Sequence, residues 1–320
     1  MRQRYDLAQS GVKGGERVRP QQLGAVGRGL GLLADTWTLL ILQRAFLGVS
    51  RYAGWRETLN ISDATLSARL RGLVEAGLLE TCSYADGGRE RRGYVLTERG
   101  GDIWKLLICT WDWEKTWVPR EVPLPEIVHR DCGRPTRVRV CCATCGGEVG
   151  PRDTEVEREP WAPGLDVLAR RHPRRTRGTL PADPLSFLPG AMEIIGDRWG
   201  AAVIGAALTG VRAFSCFAHE LAISPEVLSD RLRRFVGLGV LSRSGDGEYR
   251  LTDKGRACFP IHACLVEWSH RWCGADGAPI DFTIRHRACG QPLRVRLDCE
   301  QCGRAFARDS VSPVSPVRPR

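Results

Sequence analysis

The sequence lacks the features that mark a membrane protein, an exported protein or an enzyme of a common class. Only 2 of the 320 residues are Met, only 6 are His, and aromatic residues make up 7%. The most apolar window, residues 30–49, contains Asp35 and Arg44, which indicates a buried helix rather than a membrane span. No signal peptide, phosphate loop, dinucleotide fingerprint or nucleophile elbow is recognisable. We therefore expect a cytoplasmic protein that is not an enzyme and does not enter a membrane.

Cysteine, by contrast, is plentiful, with 13 residues in the chain. Because thiols stay reduced in the cytoplasm, this number argues against a disulfide framework and favours metal ligation or simple burial. The net charge of +10 favours an acidic partner such as nucleic acid. With 42% hydrophobic residues, the chain is long enough to form two cores of ordinary size.

The chain contains a duplication. Residues 29–79 align without a gap with residues 191–241 at a constant offset of 162, and 16 of the 51 aligned positions are identical. A second pattern, H-x2-C-x9-C-x2-C, follows each copy and begins at His129 and at His286. The protein is therefore predicted to contain two copies of a two-part unit, and its function should follow from that unit.

Each copy is predicted to form three helices, a hairpin and a final helix. The third helix has an N-cap candidate, Ser62 in the first copy and Ser224 in the second. A turn signal, Asp86-Gly87-Gly88, separates two short strands and predicts a β-hairpin, and a Trp-rich helix follows it. In the first copy the predicted helices cover residues 29–47, residues 52–59, the segment that starts at Ser62, and residues 102–117. This order of elements is that of a winged helix-turn-helix.

Several motifs make each copy resemble the HxlR-type transcriptional regulators. These are D-x-W at residues 35–37 and 197–199, I-S-x-x-x-L-S-x-R-L-R from Ile61 and Ile223, and Y-x-L-T-x-x-G from Tyr94 and Tyr249. The resemblance covers residues 29–118 and 191–273, and it implies two domains that bind double-stranded DNA. Since the family usually has one such domain per chain and acts as a homodimer, two copies imply a single-chain pseudo-dimer. A homodimer formed through the terminal helices is an alternative.

The expected fold class is mainly α with small β-hairpins (α+β), divided into seven segments. The two winged domains are each expected to carry a small zinc-ribbon-like hairpin. The predicted segments are a basic N-terminal segment (1–28), winged helix-turn-helix 1 (29–118), ribbon 1 (126–149), a linker (150–185), winged helix-turn-helix 2 (186–273), ribbon 2 (281–306) and a disordered tail (307–320).

The resemblance implies that the helices starting at Ser62 and Ser224 lie in successive major grooves of DNA. Arg71 and Arg233, opposite the apolar face of each helix, are the best candidates for base or phosphate contacts. Arg69 and Arg231 lie nearer the apolar flank, so a structural ion pair is an equal alternative for them. The candidate DNA contacts on these helices are Ser62, Thr65, Ser67, Ala68, Arg69, Arg71, Ser224, Ser229, Asp230, Arg231 and Arg233.

The two wings differ in sequence. The first carries Arg89, Arg91 and Arg92, which can reach the DNA backbone or a narrow minor groove. The second, residues 244–248, is seven residues shorter and acidic at its tip. The first copy should therefore hold DNA more firmly, and the predicted operator has two unequal half-sites. The alternative is that the first wing is only a solvated hairpin.

Each H-x2-C-x9-C-x2-C offers three thiols and one imidazole, the ligand set of a closed tetrahedral zinc site. Two structural zinc ions are predicted, one in each copy, and the eight ligands are His129, Cys132, Cys142, Cys145, His286, Cys289, Cys299 and Cys302. A thioredoxin-like redox pair is an alternative, although that motif starts a helix after a core strand. A thiol- or metal-responsive regulator is another.

One pair of arginines lies between the ligands of each pattern, Arg137 with Arg139 in the first and Arg294 with Arg296 in the second. They could follow DNA phosphates beside the winged helices, or they could pair with acidic groups of their own domain. A protein-interaction scaffold without specific DNA binding also remains open, because the winged segments themselves are nearly neutral.

Overall fold

The computed structural model of the protein describes residues 23–159 and 188–314. The elements of the first copy are α1 (Ala25–Leu33), α2 (Thr36–Phe46), α3 (Tyr52–Leu59), α4 (Asp63–Glu75), β1 (Leu79–Asp86), β2 (Arg89–Leu96), α5 (Glu98–Gly101), α6 (Trp104–Trp117), β3 (Glu126–His129), β4 (Arg134–Thr136), β5 (Val138–Cys142), a 3-10 turn (Pro151–Asp153) and β6 (Thr154–Arg158). Those of the second copy are α7 (Pro189–Ile195), α8 (Arg198–Leu208), α9 (Phe214–Leu221), α10 (Pro225–Gly237), β7 (Leu241–Arg243), β8 (Tyr249–Leu251), α11 (Asp253–Arg256), α12 (Phe259–Ala275), β9 (Phe282–His286), β10 (Val295–Cys299) and β11 (Val311–Val314). The predicted fold class is confirmed.

The D-x-W motif begins a helix in each copy. The Asp35 carboxylate accepts a hydrogen bond from Thr38 N at 2.9 Å, and the Asp197 carboxylate accepts one from Trp199 N at 2.9 Å. These side chains satisfy backbone N–H groups that have no partner within the helix. The single helix predicted over residues 29–47 is therefore two helices, α1 and α2, and the second ends before Gly48 as expected.

The third helix of each copy starts where the sequence predicts. Ser62 Oγ accepts a hydrogen bond from Thr65 N at 3.3 Å, and Ser224 Oγ accepts one from Val227 N at 3.4 Å. In α4 the inward face is formed by the buried side chains of Leu66, Leu70 and Leu73. Because these leucines repeat at helical spacing, the opposite face of α4 is left for solvent or a partner.

The Y-x-L-T-x-x-G motif joins the wing to the body of each domain. Thr97 Oγ1 donates to Gly77 O at 2.6 Å and caps α5 by accepting from Gly100 N at 3.0 Å. A Cβ at Gly100 would collide with Leu78 O, so the backbones approach as closely as only glycine permits. Thr252 and the glycine three residues after it repeat this arrangement in the second copy.

The wings are antiparallel hairpins of unequal length. In the first copy β1 pairs with β2 over eight residues, from Leu79 opposite Leu96 to Asp86 opposite Arg89. In the second copy β7 pairs with β8 over only three residues, from Leu241 opposite Leu251 to Arg243 opposite Tyr249. The shorter second wing that the sequence indicates is present in the structure.

Equivalent residues of the two copies meet each other, which defines a pseudo-twofold axis. Asp35 forms an isolated antiparallel bridge with Asp197, its counterpart at the offset of 162. Strand β5 pairs with β10 so that Val140 lies opposite Leu297, its counterpart in the second H-x2-C-x9-C-x2-C pattern. Contacts between identical surface patches are the mark of an isologous interface, here formed within one chain.

The terminal helices α6 and α12 pack on each other across this axis. Trp113 Nε1 donates to Lys254 O at 3.0 Å, and Trp268 Nε1 donates to Arg99 O at 3.1 Å. The Sγ atoms of Cys109 and Cys264 lie 3.9 Å apart between the helices. The surface that the family resemblance assigns to homodimerisation is thus buried inside this chain.

The first helix of each copy is exchanged to the other copy. Helix α1 packs on α12, and the Asp281 carboxylate accepts hydrogen bonds from Val26 N and Gly27 N, each at 3.1 Å. Helix α7 packs on α6, where the buried Glu114 carboxylate accepts one from Ala191 N at 2.7 Å. A carboxylate at a helix N-terminus is stabilised by the helix dipole and by the free N–H groups. Each copy therefore holds the leading helix of its partner copy.

Three predicted boundaries need correction. The predicted N-terminal segment 1–28 includes the start of α1, and its residues 1–22 lie outside the described residues. The predicted linker begins with β6, which pairs with β9, and the predicted disordered tail includes β11, which pairs with β3. These strands were missed because charged residues and Pro obscure their alternation, whereas free sheet edges nearby provide them with partners. Residues 160–187 and 315–320 also lie outside the described part of the chain.

One hydrophobic core runs through both copies. Its members come from α1, α2, α4 and α6 as well as from α7, α8, α10 and α12, and its largest fully buried side chains include Trp55, Phe217 and Phe235. Among the described helices, none combines the length and apolarity needed to cross a bilayer.

The paired tryptophans give a test of the pseudo-symmetric interface. Trp113→Phe and Trp268→Phe each remove one hydrogen bond between the copies and leave a carbonyl without its donor, so each variant should lose about 1 kcal/mol of unfolding free energy. Urea denaturation measures this loss. Trp117→Phe is the matched control, because Trp117 lies on the same helix, is only half-buried and makes no such bond among the described residues. Losses in both variants no larger than in this control would contradict the interface.

Candidate nucleic-acid interface and metal centres

The outward face of α4 carries the predicted DNA contacts. Ser62, Ser67, Ala68 and Arg71 are exposed, and Thr65 is half-buried. Thr65 Oγ1 lies 2.8 Å from Ser62 Oγ, so the two hydroxyls form one polar group at the start of the helix. Such a helix end, with free N–H groups and a nearby guanidinium, suits a phosphate or a base edge.

Arg69 and Arg231 hold structural ion pairs. Arg69 Nη2 lies 3.0 Å from Asp35 Oδ2, and Arg231 Nη2 lies 3.0 Å from Asp197 Oδ2. Since each Asp also caps a helix, these pairs connect α4 to α2 in the first copy and α10 to α8 in the second. The ion-pair alternative thus describes both arginines, and their contact with DNA stays a prediction.

The outward face of α10 has a different charge pattern. Ser224, Ser229 and Arg233 are predicted contacts there; Ser224 is exposed, and the side chain of Arg233 is 76% exposed. Asp230 accepts hydrogen bonds from Arg234 Nε at 2.8 Å and from Arg231 Nη1 at 3.1 Å. The carboxylate on this face is therefore neutralised by arginines of its own helix, which leaves Arg233 as the most exposed of these cations.

The first wing is an exposed basic surface, and the second carries ion pairs within its hairpin. Arg89, Arg91 and Arg92 are exposed along β2. At the second tip Ser244 donates to the Asp246 carboxylate, and Arg250 Nη2 lies 2.8 Å from Glu248 Oε2. The two wings thus present different charges to a partner.

Arg51 is a cation of the first domain that sequence reasoning missed. Its guanidinium lies over the ring of Tyr84 in β1, 4.6 Å from the centroid, and this places a positive charge beside the wing. In the sequence, Arg51 is only an arginine that precedes α3. Nothing in that position shows that β1 of the wing folds back beside it.

Three of the four arginines between the ligands lie beside carboxylates of this protein. Arg296 makes two hydrogen bonds to Asp298, each at 2.8 Å, and Arg139 lies opposite Asp298 across the β5–β10 pair. Arg137 Nε is 3.8 Å from Asp112 Oδ1; burial raises the pKa of that carboxyl to about 6, although Arg137 acts in the opposite direction. Arg294 alone of the four is exposed without such a neighbour among the described residues. Phosphate contacts by these residues stay a prediction.

The eight predicted metal ligands come together in two groups of four, but not in the predicted groups. Cluster A contains His129, Cys132, Cys299 and Cys302, and cluster B contains Cys142, Cys145, His286 and Cys289. Each cluster takes its H-x2-C pair from one copy and its C-x2-C pair from the other. The prediction that each H-x2-C-x9-C-x2-C closes one site by itself is therefore wrong.

The extended spacer explains the exchange. Between the two pairs of ligands the chain runs along β4 and β5, and the five residues of β5 alone span about 17 Å at the rise of a strand. Bonds of about 2.3 Å to a single ion cannot bridge that separation. Because β5 pairs antiparallel with β10 about the axis, the far end of each strand instead meets the H-x2-C pair of the other copy.

The distances within the clusters fit a tetrahedral ion. Tetrahedral bonds of the length that zinc makes to sulfur and nitrogen place two sulfurs about 3.8 Å apart and a nitrogen about 3.5 Å from a sulfur. In cluster A, His129 Nδ1 lies 3.6 Å from Cys132 Sγ and 3.3 Å from Cys302 Sγ, and Cys132 Sγ lies 3.8 Å from Cys299 Sγ. In cluster B the corresponding separations are 3.5, 3.3 and 4.0 Å. Four protein ligands leave no open coordination position.

One thiol of each cluster has a lowered pKa and therefore loses its proton more readily. Burial would raise the pKa of the Cys142 thiol, but hydrogen bonds from the N–H groups of Cys145 and Thr144 outweigh it and lower the pKa to about 6. Cys299, its counterpart, also has a pKa of about 6. Thiolates are the form that binds metal ions. Cys141 lies outside both clusters.

The imidazole of cluster A has a carboxylate near its other ring nitrogen. His129 is fully buried, its ring meets Phe306 edge to face at 5.2 Å, and its Nε2 lies 3.6 Å from Asp131 Oδ2. A carboxylate near the second ring nitrogen of a ligating histidine is a common outer partner that orients the ring. Nδ1 is accordingly the nitrogen that faces the thiols.

Comparison with known proteins supports the resemblance found in the sequence. The uncharacterized HTH-type transcriptional regulators Rv3095 of Mycobacterium tuberculosis and Mb3122 of Mycobacterium bovis are each 39% identical to this chain over 137 residues, which make up 42% of this chain and 86% of the relative. The uncharacterized HTH-type transcriptional regulator YvaP of Bacillus subtilis is 35% identical over 89 residues, 26% of this chain and 82% of the relative. Less than half of this chain thus accounts for most of each relative.

The family profile matches both copies. The HxlR-like helix-turn-helix profile covers residues 32–122 and residues 194–276, which together exceed half of the chain. Both matches include the D-x-W, I-S-x-x-x-L-S-x-R-L-R and Y-x-L-T-x-x-G motifs whose structural roles are described above. The protein belongs to the HxlR-like helix-turn-helix family, with two copies of the family's domain in one chain.

Proposed function

We propose that the protein is a sequence-specific regulator of transcription that binds double-stranded DNA as a single-chain pseudo-dimer. The observation that carries this proposal is the pseudo-twofold axis, on which Asp35 meets Asp197 and Val140 lies opposite Leu297. A twofold arrangement of two helix-turn-helix units matches the symmetry of a two-half-site operator. We further infer a cytoplasmic protein without enzymatic activity.

In this proposal α4 and α10 enter successive major grooves, about 34 Å apart along the DNA. Ser62 and Ser224, at the exposed N-termini of these helices, contact phosphates. Arg71 and Arg233 contact bases or phosphates. The buried leucine face of α4 fixes which side of the helix is offered. The arginines paired with Asp35 and Asp197 hold the recognition helices in place.

The two half-sites are unequal. The first domain adds the three exposed arginines of its wing and Arg51, whereas the charges of the second wing are satisfied within the hairpin. Since phosphate contacts dominate affinity, the first half-site contributes more of the binding free energy.

One chain is sufficient for the operator. The surface through which a one-domain relative could pair is filled here by the second copy, because α6 packs on α12 and each leading helix is exchanged. Among the described residues, the surfaces that form this interface are already in contact within one chain.

We propose zinc as the ion of both clusters. Three thiolates and one imidazole form a closed zinc ligand set, and the separations of the ligand atoms fit its bond lengths. Bound zinc supplies a cross-link and neutralises the thiolate charge. The exposure of Cys145 and Cys302 favours a second role for the clusters. Thiol reagents, or a change in the supply of metal ions, could act on them and thereby alter DNA binding.

DNA binding is tested with a duplex selected from a random pool. Arg71→Ala should weaken binding by about 1–3 kcal/mol, or about 5- to 150-fold, because its guanidinium no longer reaches the major groove. Fluorescence anisotropy across a salt series measures the affinity, which should fall log-linearly with salt. Arg287→Ala in the ribbon, where the guanidinium pairs with Glu155, is the matched control and should bind normally. Weak binding that ignores sequence would instead support the protein-interaction scaffold.

The difference between the wings gives a second test. Replacing Arg89, Arg91 and Arg92 together by Ala should flatten the dependence of log affinity on log salt by about one for each phosphate that is no longer neutralised. Arg250→Ala, in the second wing, should change this slope by less than one third of that amount, since its guanidinium already pairs with Glu248. An equal change per arginine in the two variants would show that the wings contribute alike.

The exchanged ligand sets predict distinct metal contents for two double variants. Replacing Cys132 and Cys142 by Ser removes one ligand from each cluster, so both sites should lose tight zinc binding. Replacing Cys132 and Cys299 damages cluster A alone, and one zinc ion per chain should remain. Zinc titration against a chromophoric chelator measures this, with the exposed, non-ligating Cys216→Ser as control. Ligation within each copy would give the opposite result for the two variants.

A further inference from the structure

Each ion of the two clusters joins the two copies, and this has a consequence for DNA binding. Within the described residues, every strand pair around the clusters except the β3–β4 hairpin is formed between copies: β5 with β10, β6 with β9, and β11 with β3. An ion in either cluster therefore forms bonds to the first copy and to the second at once. Its removal breaks cross-links between copies and not links within one copy.

The shared ribbon is attached to both winged domains. Arg158, at the end of β6 from the first copy, forms an ion pair with Glu220 on α9 of the second domain. Arg308, after the second copy's last ligand, lies over the ring of Phe46 at the end of α2 in the first domain, 5.1 Å from the centroid. Each tail of the ribbon thus touches the helix-turn-helix of the opposite copy.

The ribbon is also attached to the terminal helices. Glu267 of α12 accepts a hydrogen bond from Val295 N at 2.9 Å, and Lys105 of α6 donates to Val295 O at 2.6 Å. Both helices of the axis therefore contact the same strand, β10. If the strands of the ribbon become less ordered, the positions of α6 and α12 should become less fixed as well, because both helices are bonded to β10.

Without an ion, the ribbon is held by its strand pairs, by the buried side chains of β5 and β10, and by the contacts with the helices given above. Its strand pairs are at most five residues long, and pairs of such length are marginal in water unless they bury a substantial face. Three thiols and an imidazole that lack their ion add no attraction between the copies. In small metal domains the folded geometry and metal binding are linked, so each favours the other.

We propose that metal occupancy of the two shared clusters regulates the protein's affinity for two-half-site DNA by fixing the orientation of one recognition helix relative to the other. This inference rests on the proposed function. When both domains are fixed at the spacing of the operator, the second contact is intramolecular and adds avidity, and a looser pair loses part of that gain. Binding to a single half-site needs only one domain and is independent of the ions.

The test compares zinc-loaded full-length protein with chelator-treated protein on two duplexes, the selected two-half-site operator and a version with one half-site scrambled. We expect metal removal to weaken operator binding by about 10-fold or more and to change single-half-site binding by less than about 2-fold. Adding Zn²⁺ back should restore the operator affinity. Equal operator affinity with and without zinc overturns the proposal.

A measurement without DNA separates this inference from the proposed function. Nitroxide labels on encoded keto side chains at the exposed positions Ala64 and Glu226 report the distance between α4 and α10 by double electron–electron resonance. The distance distribution should be narrow with zinc and broad without it. Failure to bind any duplex, together with this narrowing, would refute the DNA-binding proposal and retain the metal-dependent orientation. An unchanged distribution refutes the inference.

Variants at the most exposed ligands guard against general unfolding. Cys145→Ser weakens cluster B and Cys302→Ser weakens cluster A, and both side chains lie at the surface. Each variant should reproduce part of the loss in operator affinity while its helical circular dichroism stays unchanged. Cys216→Ser should behave as the unaltered protein. Normal operator affinity in both ligand variants, when each has lost its zinc, also overturns the proposal.

Discussion

The separation of the two ligand pairs by an extended strand is the constraint on which the rest of the structure depends. A spacer that runs along β5 or β10 cannot return its far end to the same ion, so each copy must find its missing ligands in the other. The antiparallel pairing of β5 with β10 follows, with Val140 opposite Leu297 on the axis. Strands β6 and β11 then complete the edges of the opposite copy's ribbon.

Because both copies belong to one chain, an interaction can be present on one side of the axis and absent from the other. In a symmetric homodimer each such interaction would occur twice. Trp272 Nε1 donates to Asp102 at 2.9 Å, but the counterpart of Asp102 in the second copy is Ala257, so Trp117 has no equivalent bond. Lys105 bridges α6 to Glu267 and β10, and its counterpart is Pro260. Such differences make the axis approximate, and the unequal wings extend the same divergence to the face that we propose binds DNA.

Local signals in the sequence were sufficient for the elements of each domain. The N-caps at Ser62 and Ser224, the buried leucines of α4 and the length of each wing follow from capping, periodicity and turn chemistry, which act over a few residues. The eight residues of the two Cys/His clusters also followed, because the spacing of thiols and imidazoles restricts the choice. The grouping of those ligands did not, since two copies of one pattern are compatible with closure within a copy and between copies.

The remaining differences come from contacts between residues that are far apart in the chain. Asp35 lies far from Arg69 in sequence, so the spacing around Arg69 only suggested an ion pair without naming its partner. Strands β6 and β11 look like parts of a linker and a tail until the ribbon edges of the other copy are known. Sequence patterns describe a segment by its own composition, whereas these segments are ordered by partners from the other copy.

Native mass spectrometry of the zinc-loaded chain, cut by a protease site inserted between residues 159 and 188, tests the exchange of ligands most directly. Because both clusters draw ligands from both copies, the two fragments should remain together and carry two zinc ions per pair. When the fragments are separated, neither should bind zinc tightly. A separated fragment that carries one tightly bound zinc ion would contradict the account, since it would show that each copy closes its own site.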